Sequence, residues 1–336
     1  MVISAMLANY LTLLIFFLYA MTAQSRTLPP LFPRATNSSK AGLAWPNGNA
    51  DDIQQFLTTG KVSWYYTWSP DPISTTNIEF VPMLWGNKSL KEFAATINNT
   101  ISSKNVTAAL GMNEPQQSGQ SDLTPEEGAE LWKTYLEPLK AQGIRLGSPA
   151  PSSAPSGKTW IQDFLTACNG SCTVDFIALH WYDINGTAFI EYLEDFHNTF
   201  QRPLWVTEWA CQNYNQGNQC SYDDTVLFLN ETQSFMDSSD FVERYSYFGA
   251  MEDLQGVNQD NALMNSNGDI TALGKQYIGE QAAQTTGSGS PDGPYAPGGT
   301  SGATSLYPTR LDCSLLLLVV GLVAGCLAIN VMQVVP

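Results

Sequence analysis

Eight short apolar runs recur along the chain, at residues 41–45, 62–67, 79–84, 107–112, 145–149, 174–180, 203–207 and 244–250. Several are apolar almost without interruption, as strands covered on both faces are, and unlike strands with one face in water. Between the runs the period lengthens to that of a helix. After Thr124-Pro125-Glu126-Glu127, apolar residues return at helical spacing through Ala129, Leu131, Trp132, Tyr135, Leu136 and Leu139, and Gly143 ends the pattern. Its start combines a capping threonine, a proline at the first helical position and acids near the positive end of the helix dipole. Similar patterns cover 51–57, 89–101, 160–167, 188–200 and 225–236, whereas 68–77, with Pro70 and Pro72, is too short and too broken for a helix. Strand alternating with helix predicts a parallel sheet. Eight such units in roughly 240 residues predict a single closed (β/α)8 barrel, not an open sheet. No G-x-G-x-x-G opens the first helix, so nothing recommends a dinucleotide fold. There is no internal repeat and no sign of a second domain.

Both ends read as processing signals. Leu11-Thr12-Leu13-Leu14-Ile15-Phe16-Phe17-Leu18 followed by Ala23-Gln24-Ser25 fits a signal peptide over residues 1–23. The run lacks a preceding positive charge, so an uncleaved anchor is the alternative, the weaker one because the run is shorter than the ~20 residues of a spanning helix. After an N-terminal extension (24–39) and the catalytic domain expected at 40–284, residues 285–310 are rich in Gly, Ser, Thr and Pro and read as a stalk. The apolar stretch within 311–336 carries no basic residue after it. With Ser301-Gly302-Ala303 and a polar spacer before it, it matches a GPI-attachment signal, the alternative being a transmembrane tail. Ser290 or Gly299 would serve as well for attachment. The expected location is the cell surface or wall, with the chain held to the membrane by that tail.

Composition changes this picture little but excludes some classes. The net charge of −16 argues against nucleic acid or an anionic membrane surface as partner. Seven N-x-[ST] sequons, at Asn37, Asn87, Asn98, Asn105, Asn169, Asn185 and Asn230, agree with export. Of six cysteines, Cys313 and Cys326 lie in the tail. The other four allow three pairings, of which Cys168–Cys172 and Cys211–Cys220 close the shortest loops. Metal-ligand spacing is absent, and no metal or cofactor is expected.

Function on a barrel gathers where strands end at the C-terminal face. There, run four closes on Asn113-Glu114-Pro115 and run seven on Thr207-Glu208-Trp209. Two carboxylates on facing strands suit glycoside cleavage, in which one protonates the leaving oxygen and the other attacks or activates water. Trp45, Trp64, Trp68, Trp85, Trp181 and Trp209 fall at or just past strand ends, and indoles stack on the apolar faces of sugars. Trp132, Trp160 and Trp205 read as packing. His180 and His197 are the only histidines, too few for a metal site or a Ser-His-Asp triad. His180, Trp181 and Tyr182 end run six and are expected at the site, with Tyr182 bonded to the nucleophile. His197 reads as a helix packing residue. Asp183, Glu252 and Asp253 are open between sugar contacts and loop structure.

Gly42-Leu43-Ala44-Trp45-Pro46, Gly111-Met112-Asn113-Glu114-Pro115, Ala178-Leu179-His180-Trp181-Tyr182 and Val206-Thr207-Glu208-Trp209 together resemble glycoside hydrolase family 128, within the retaining clan-A hydrolases. The resemblance runs from about Lys40 to about Tyr277 and implies a β-1,3-glucanase, with β-1,3-glucan polymer or oligosaccharide as partner. It also implies Glu114 as acid/base, Glu208 as nucleophile and Asn113 on the sugar 2-hydroxyl. Transglycosylation of the same glucan, or glucan binding without turnover, remain the alternatives; endo and exo action stay open. A monomer working at acidic pH is expected.

Overall fold

The computed structural model describes residues 39–215 and 217–286. The expected signal peptide, the N-terminal extension before Ser39, the stalk beyond Thr286 and the hydrophobic tail lie outside the described residues, as do Asn37, Cys313 and Cys326. Each of the eight apolar runs holds or overlaps a strand. These are β1 (Ala41–Ala44), β2 (Val62–Tyr66), β3 (Glu79–Phe80), β4 (Ala108–Leu110), β5 (Arg145–Gly147), β6 (Ile177–Asp183), β7 (Leu204–Cys211) and β8 (Val242–Tyr245). Six form one sheet in the order β3-β2-β1-β8-β7-β6, and β4-β5 form a second. All pairings between these strands are parallel. Single parallel bridges, Met83–Leu110 and Gly147–Phe176, join the second sheet to both ends of the first. The strands are thus linked in chain order, with the last beside the first. This is an α/β fold on a parallel sheet.

Helices return the chain between strands: α1 (Leu90–Ser103), α2 (Pro125–Leu131), α3 (Pro155–Cys168), α4 (Gly186–Phe200), α5 (Tyr222–Ser238) and the short α6 (Ala272–Tyr277). No helix separates β2 from β3, as Pro70 and Pro72 predict. Thr124 caps α2 with a reciprocal box, its hydroxyl accepting from the Glu127 N–H while the Glu127 carboxylate takes the Thr124 N–H. The helix expected to run on to Gly143 instead passes through a π turn (Trp132–Leu136) and a 3-10 turn (Glu137–Gln142). Pro138 explains the change, because its ring displaces the carbonyl four residues back and it offers no N–H. Gly143 does end the segment, in the left-handed conformation at φ 81°. The stretch expected as a helix at 51–57 is likewise a 3-10 turn, Asp51–Phe56.

Side-chain parity along the strands divides the core in two. Ala44, Trp64, Tyr66, Val81, Met83, Ala108, Leu110, Ala178 and Trp205 form one cluster enclosed by strands. Their neighbours Leu43, Tyr65, Phe80, Leu84, Ala109, Leu179 and Val206 belong to the larger cluster that the helices cover. Two-residue alternation is what a strand imposes. Gly42 is required by it: a Cβ there would lie 2.2 Å from the Trp64 ring. Two disulfides, Cys168–Cys172 and Cys211–Cys220, take the two local pairings.

Candidate active site

A cleft of about 880 Å3 opens where the strands end. Trp68 follows β2, Trp85 follows β3, Asn113 and Glu114 follow β4, Ser152 follows β5, Tyr182 and Asp183 close β6, Glu208 stands within β7 and Phe248 follows β8; all line the cleft. Gln117, Gln120, Asn215 and Gln255 add amides and Tyr214 a further ring. Among the described residues Glu114, Glu208 and Asp183 supply its only charged side chains. Neutral hydrogen-bonding groups and aromatic faces make up most of the rest, with Ala154, Pro155 and Val257.

Glu208 reaches this cleft through an irregularity. Pairing between β6 and β7 steps from Leu179–Val206 to His180–Glu208, which leaves Thr207 as an extra residue. Strict alternation from the enclosed Trp205 would turn Thr207 inward and Glu208 outward. The bulge reverses the parity, so Glu208 faces the cleft and Trp209 the helices. The main chain at Thr207 is secured by the Tyr66 hydroxyl, which donates to its carbonyl at 2.9 Å, and by Ser246 Oγ at 2.5 Å. On the facing side Glu114 sits at φ 39°. That left-handed conformation costs a non-glycine residue on the order of 1 kcal/mol or more. Its N–H donates to the Ala150 carbonyl at 2.7 Å and its carbonyl accepts from the Gln117 N–H at 2.9 Å, which holds the turn. Trp68, at φ 55°, bears the same kind of strain.

The two carboxylates have different surroundings. Both oxygens of Glu208 accept from neutral donors, Oε1 from Trp68 Nε1 at 2.7 Å and Oε2 from the Tyr182 hydroxyl at 2.6 Å. Glu114 has His180 Nδ1 at 3.0 Å from Oε1. The same ring nitrogen lies 3.6 Å from Glu208 Oε2, so the imidazole stands between the acids. Burial opposes a positive charge on His180, but the Glu208 charge and the bond and charge of Glu114 outweigh it, and the net effect holds its pKa above the usual 6.5. The Tyr182 phenol is pushed well above its ordinary value, chiefly by burial and then by the Glu208 charge. It therefore stays a protonated donor throughout the range in which carboxylates work. Asn113 is buried, its Nδ2 donates to Gln120 Oε1 at 3.1 Å, and its Oδ1 is buried without a partner.

One oxygen each of Glu114 and Glu208 and one nitrogen of His180 lie within 4.8 Å of one another. Among the described residues this is the group that could hold a metal ion. Its donor set suits one poorly, since Trp68 and Tyr182 already occupy both Glu208 oxygens and N–H and O–H donors cannot point at a bound cation.

The tryptophans separate by parity. Trp68 and Trp85 line the cleft. Trp45, Trp64, Trp181 and Trp209, expected there, do not, and they correct the sequence reading. Trp45 follows the enclosed Ala44, so it turns outward, packing edge-on against Phe56 with its Nε1 on the Gly48 carbonyl. Trp181 and Trp209 alternate with His180 and Glu208 and therefore face outward too, Trp181 onto Phe189 and Tyr192, and Trp209 onto Tyr247 with its Nε1 bonded to Thr232 Oγ1. Trp64 faces inward but at the opposite end, its Nε1 donating to the Lys40 carbonyl and its ring beneath the Arg244 guanidinium. His197 is a packing residue stacked on Phe241 at 4.5 Å. Asp183 lines the cleft, whereas Glu252 and Asp253 are exposed outside it. Tyr214, Phe248 and the Gln117–Ser152 pair escaped the sequence reading because they lie in loops, where no periodicity marks direction.

The profile described as glycosyl hydrolase catalytic core matches residues 42–277. Alkali-sensitive linkage protein 1 of Schizosaccharomyces pombe is 32% identical over 247 residues, 72% of this chain, and the chain spans 44% of that relative's length. Among solved structures, a curdlan-specific exo-β-1,3-glucanase of glycoside hydrolase family 128, subgroup III, from Blastomyces gilchristii is 33% identical, with a TM-score of 0.60 over 73% of this chain and 99% of that one. A subgroup I endo-β-1,3-glucanase from Amycolatopsis mediterranei, in complex with laminaritriose, is 26% identical, with a TM-score of 0.62 over 72% of this chain and 100% of that one. The match takes in both carboxylates and reaches from β1 past β8, and the chain belongs to the glycosyl hydrolase catalytic core family.

Proposed function

We propose that this chain cleaves β-1,3-glucan with retention, on a closed (β/α)8 barrel, with Glu208 as nucleophile and Glu114 as acid/base. One observation carries the reading: two carboxylates with oxygens within 4.8 Å of each other stand in unlike surroundings. Retaining pairs are about 5–5.5 Å apart and inverting pairs about 6.5–9.5 Å, since only the latter must admit a water between the base carboxylate and the anomeric carbon. Glu208, fixed by Trp68 and Tyr182, is oriented for attack on the anomeric carbon. Glu114, beside His180, donates a proton to the leaving oxygen and then takes one from water. Asn113 hydrogen-bonds the sugar 2-hydroxyl, and Trp68 and Trp85 offer faces to pyranose rings. The parallel pairing that leads from β1 round to β8 supports the barrel. The β-1,3-glucanase activity of the solved relatives supports the substrate.

Transglycosylation is the second reading. Tyr214, 64% exposed at the cleft mouth, offers an acceptor sugar a surface from which to displace water at the intermediate. In the cell we place the enzyme at the outer surface, as an exported, glycosylated monomer held by a GPI anchor. Two disulfides agree with an oxidising compartment. The test is incubation with laminari-oligosaccharides and separation of products by mass, alongside Glu114→Gln and Glu208→Gln. Shorter products from the wild type and none from either variant bear the proposal out. Undiminished cleavage by folded Glu208→Gln overturns it, and products longer than the substrate turn it toward transfer.

A further inference from the structure

The sequons divide by position on the fold. All six within the described residues, Asn87, Asn98, Asn105, Asn169, Asn185 and Asn230, are exposed. Asn98 and Asn230 sit on the flanks of α1 and α5, and Asn105 and Asn169 follow helix ends, at the face opposite the cleft. Asn87 and Asn185 differ. Each lies in a connection that leaves the C-terminal end of a strand, where the cleft opens. Asn87 is two residues beyond Trp85, and Asn185 two beyond Asp183, both of which line the cleft. Two residues span at most about 7 Å of chain. Lys88, the next residue after Asn87, reaches back over the Trp85 ring, with Nζ 5.2 Å from its centroid. Between these positions in the strand order stand β4 and β5, whose loops carry Gln117, Gln120 and Ser152.

We infer that Asn87 and Asn185 carry N-linked glycans that bracket this wall of the cleft and restrict which glucans enter it. The inference rests on the export reading above. The donor is a lipid-diphosphate-linked oligosaccharide of the secretory pathway. The amide Nδ2 bonds to the anomeric carbon, the bond from that carbon to the phosphate oxygen breaks, the lipid diphosphate leaves and the amide gives up one proton. Asn185 can be modified without loss of its structural role: its Oδ1 caps α4 by accepting from the Ala188 N–H at 3.0 Å, while Nδ2 carries the sugar. An N-glycan is a bulky, hydrated group that stays at the surface. A short oligosaccharide contained in the cleft passes between two such groups, whereas a long or multi-stranded glucan must extend past them.

The test uses the full chain made in a fungal host. Exported protein is treated with peptide-N-glycosidase in heavy-oxygen water, and its peptides are mapped by mass. Ser89→Ala and Thr187→Ala remove the two sequons and keep both asparagines, so the α4 cap survives; Asn105→Gln is the control on the far face. The expected result is heavy aspartate at positions 87 and 185. In addition, kcat/KM on insoluble glucan rises severalfold in Ser89→Ala and Thr187→Ala, with no change on laminaripentaose and none in Asn105→Gln. Exported protein unmodified at Asn87 and Asn185, or an unchanged ratio of polymer to oligosaccharide turnover, overturns the inference while leaving the glucanase reading intact. Chain retained in the cytosol without glycans overturns the export reading, and the inference with it.

Discussion

Replacing Tyr182 by Phe removes one hydroxyl and separates the two halves of the proposed reaction. That hydroxyl donates to Glu208 Oε2 at 2.6 Å, a bond to a charged acceptor worth about 1.5–3 kcal/mol. At about 1.36 kcal/mol per tenfold in rate, full loss corresponds to about 10- to 150-fold. The loss does not fall evenly. In the first step the carboxylate gives up charge as it bonds to the sugar, so a donor to it helps little. In the second step the carboxylate departs and regains its charge, and there the donor lowers the barrier. Trp68 still donates to Oε1 at 2.7 Å, and the Phe ring keeps its contacts with Phe248 and Tyr214, so the fold and the aim of Glu208 persist. The expected outcome is kcat reduced by up to about 100-fold, kcat/KM on an activated aryl glycoside nearly unchanged, and a burst of released aryl alcohol in the first turnover. Equal falls in kcat and kcat/KM without a burst, in protein of unchanged Tm, would refute the reasoning.

Two further predictions follow from the same geometry. Because the folded pKa of His180 is held above about 6.5, its stabilising contribution is fully present below that unfolded value and fades as pH rises through the folded one. The Tm advantage of wild type over His180→Asn is therefore greatest below about pH 6.5 and shrinks as the pH is raised through the folded value, and an advantage constant with pH contradicts it. Trp209→Ala, which removes a fully buried ring, costs about 3–5 kcal/mol of stability in denaturant titration. Trp68→Ala, at a ring only partly buried, costs less stability and lowers kcat by about 10-fold or more, since it deletes the other donor to Glu208; equal stability losses in the two variants contradict the parity assignment.

Much of this site was legible in the sequence, and what was not has identifiable causes. The apolar runs locate all eight strands because burial on both faces leaves a continuous signal. Glu114 and Glu208 stand out as acids directly after or within such runs. Nearness to strand ends does not separate the tryptophans, but parity does: Trp181 lies between His180 and Tyr182, and Trp209 beside Glu208, so each faces away from the cleft. The bulge at Thr207 was not legible, because an extra residue leaves no mark on composition while reversing every side chain beyond it. Tyr214 and Phe248 join the cleft only through tertiary placement of loops.

The central claim, that Glu208 forms a covalent bond to the sugar, is tested most directly by trapping it. A 2-deoxy-2-fluoro laminaribiosyl donor with a good leaving group slows both steps, the second most, and the inactivated protein is digested and mapped by mass. The account predicts a single added disaccharide on the peptide that contains Glu208, lost again when an acceptor sugar restores activity. Label on Glu114, or time-dependent inactivation with no sugar attached to Glu208, contradicts it.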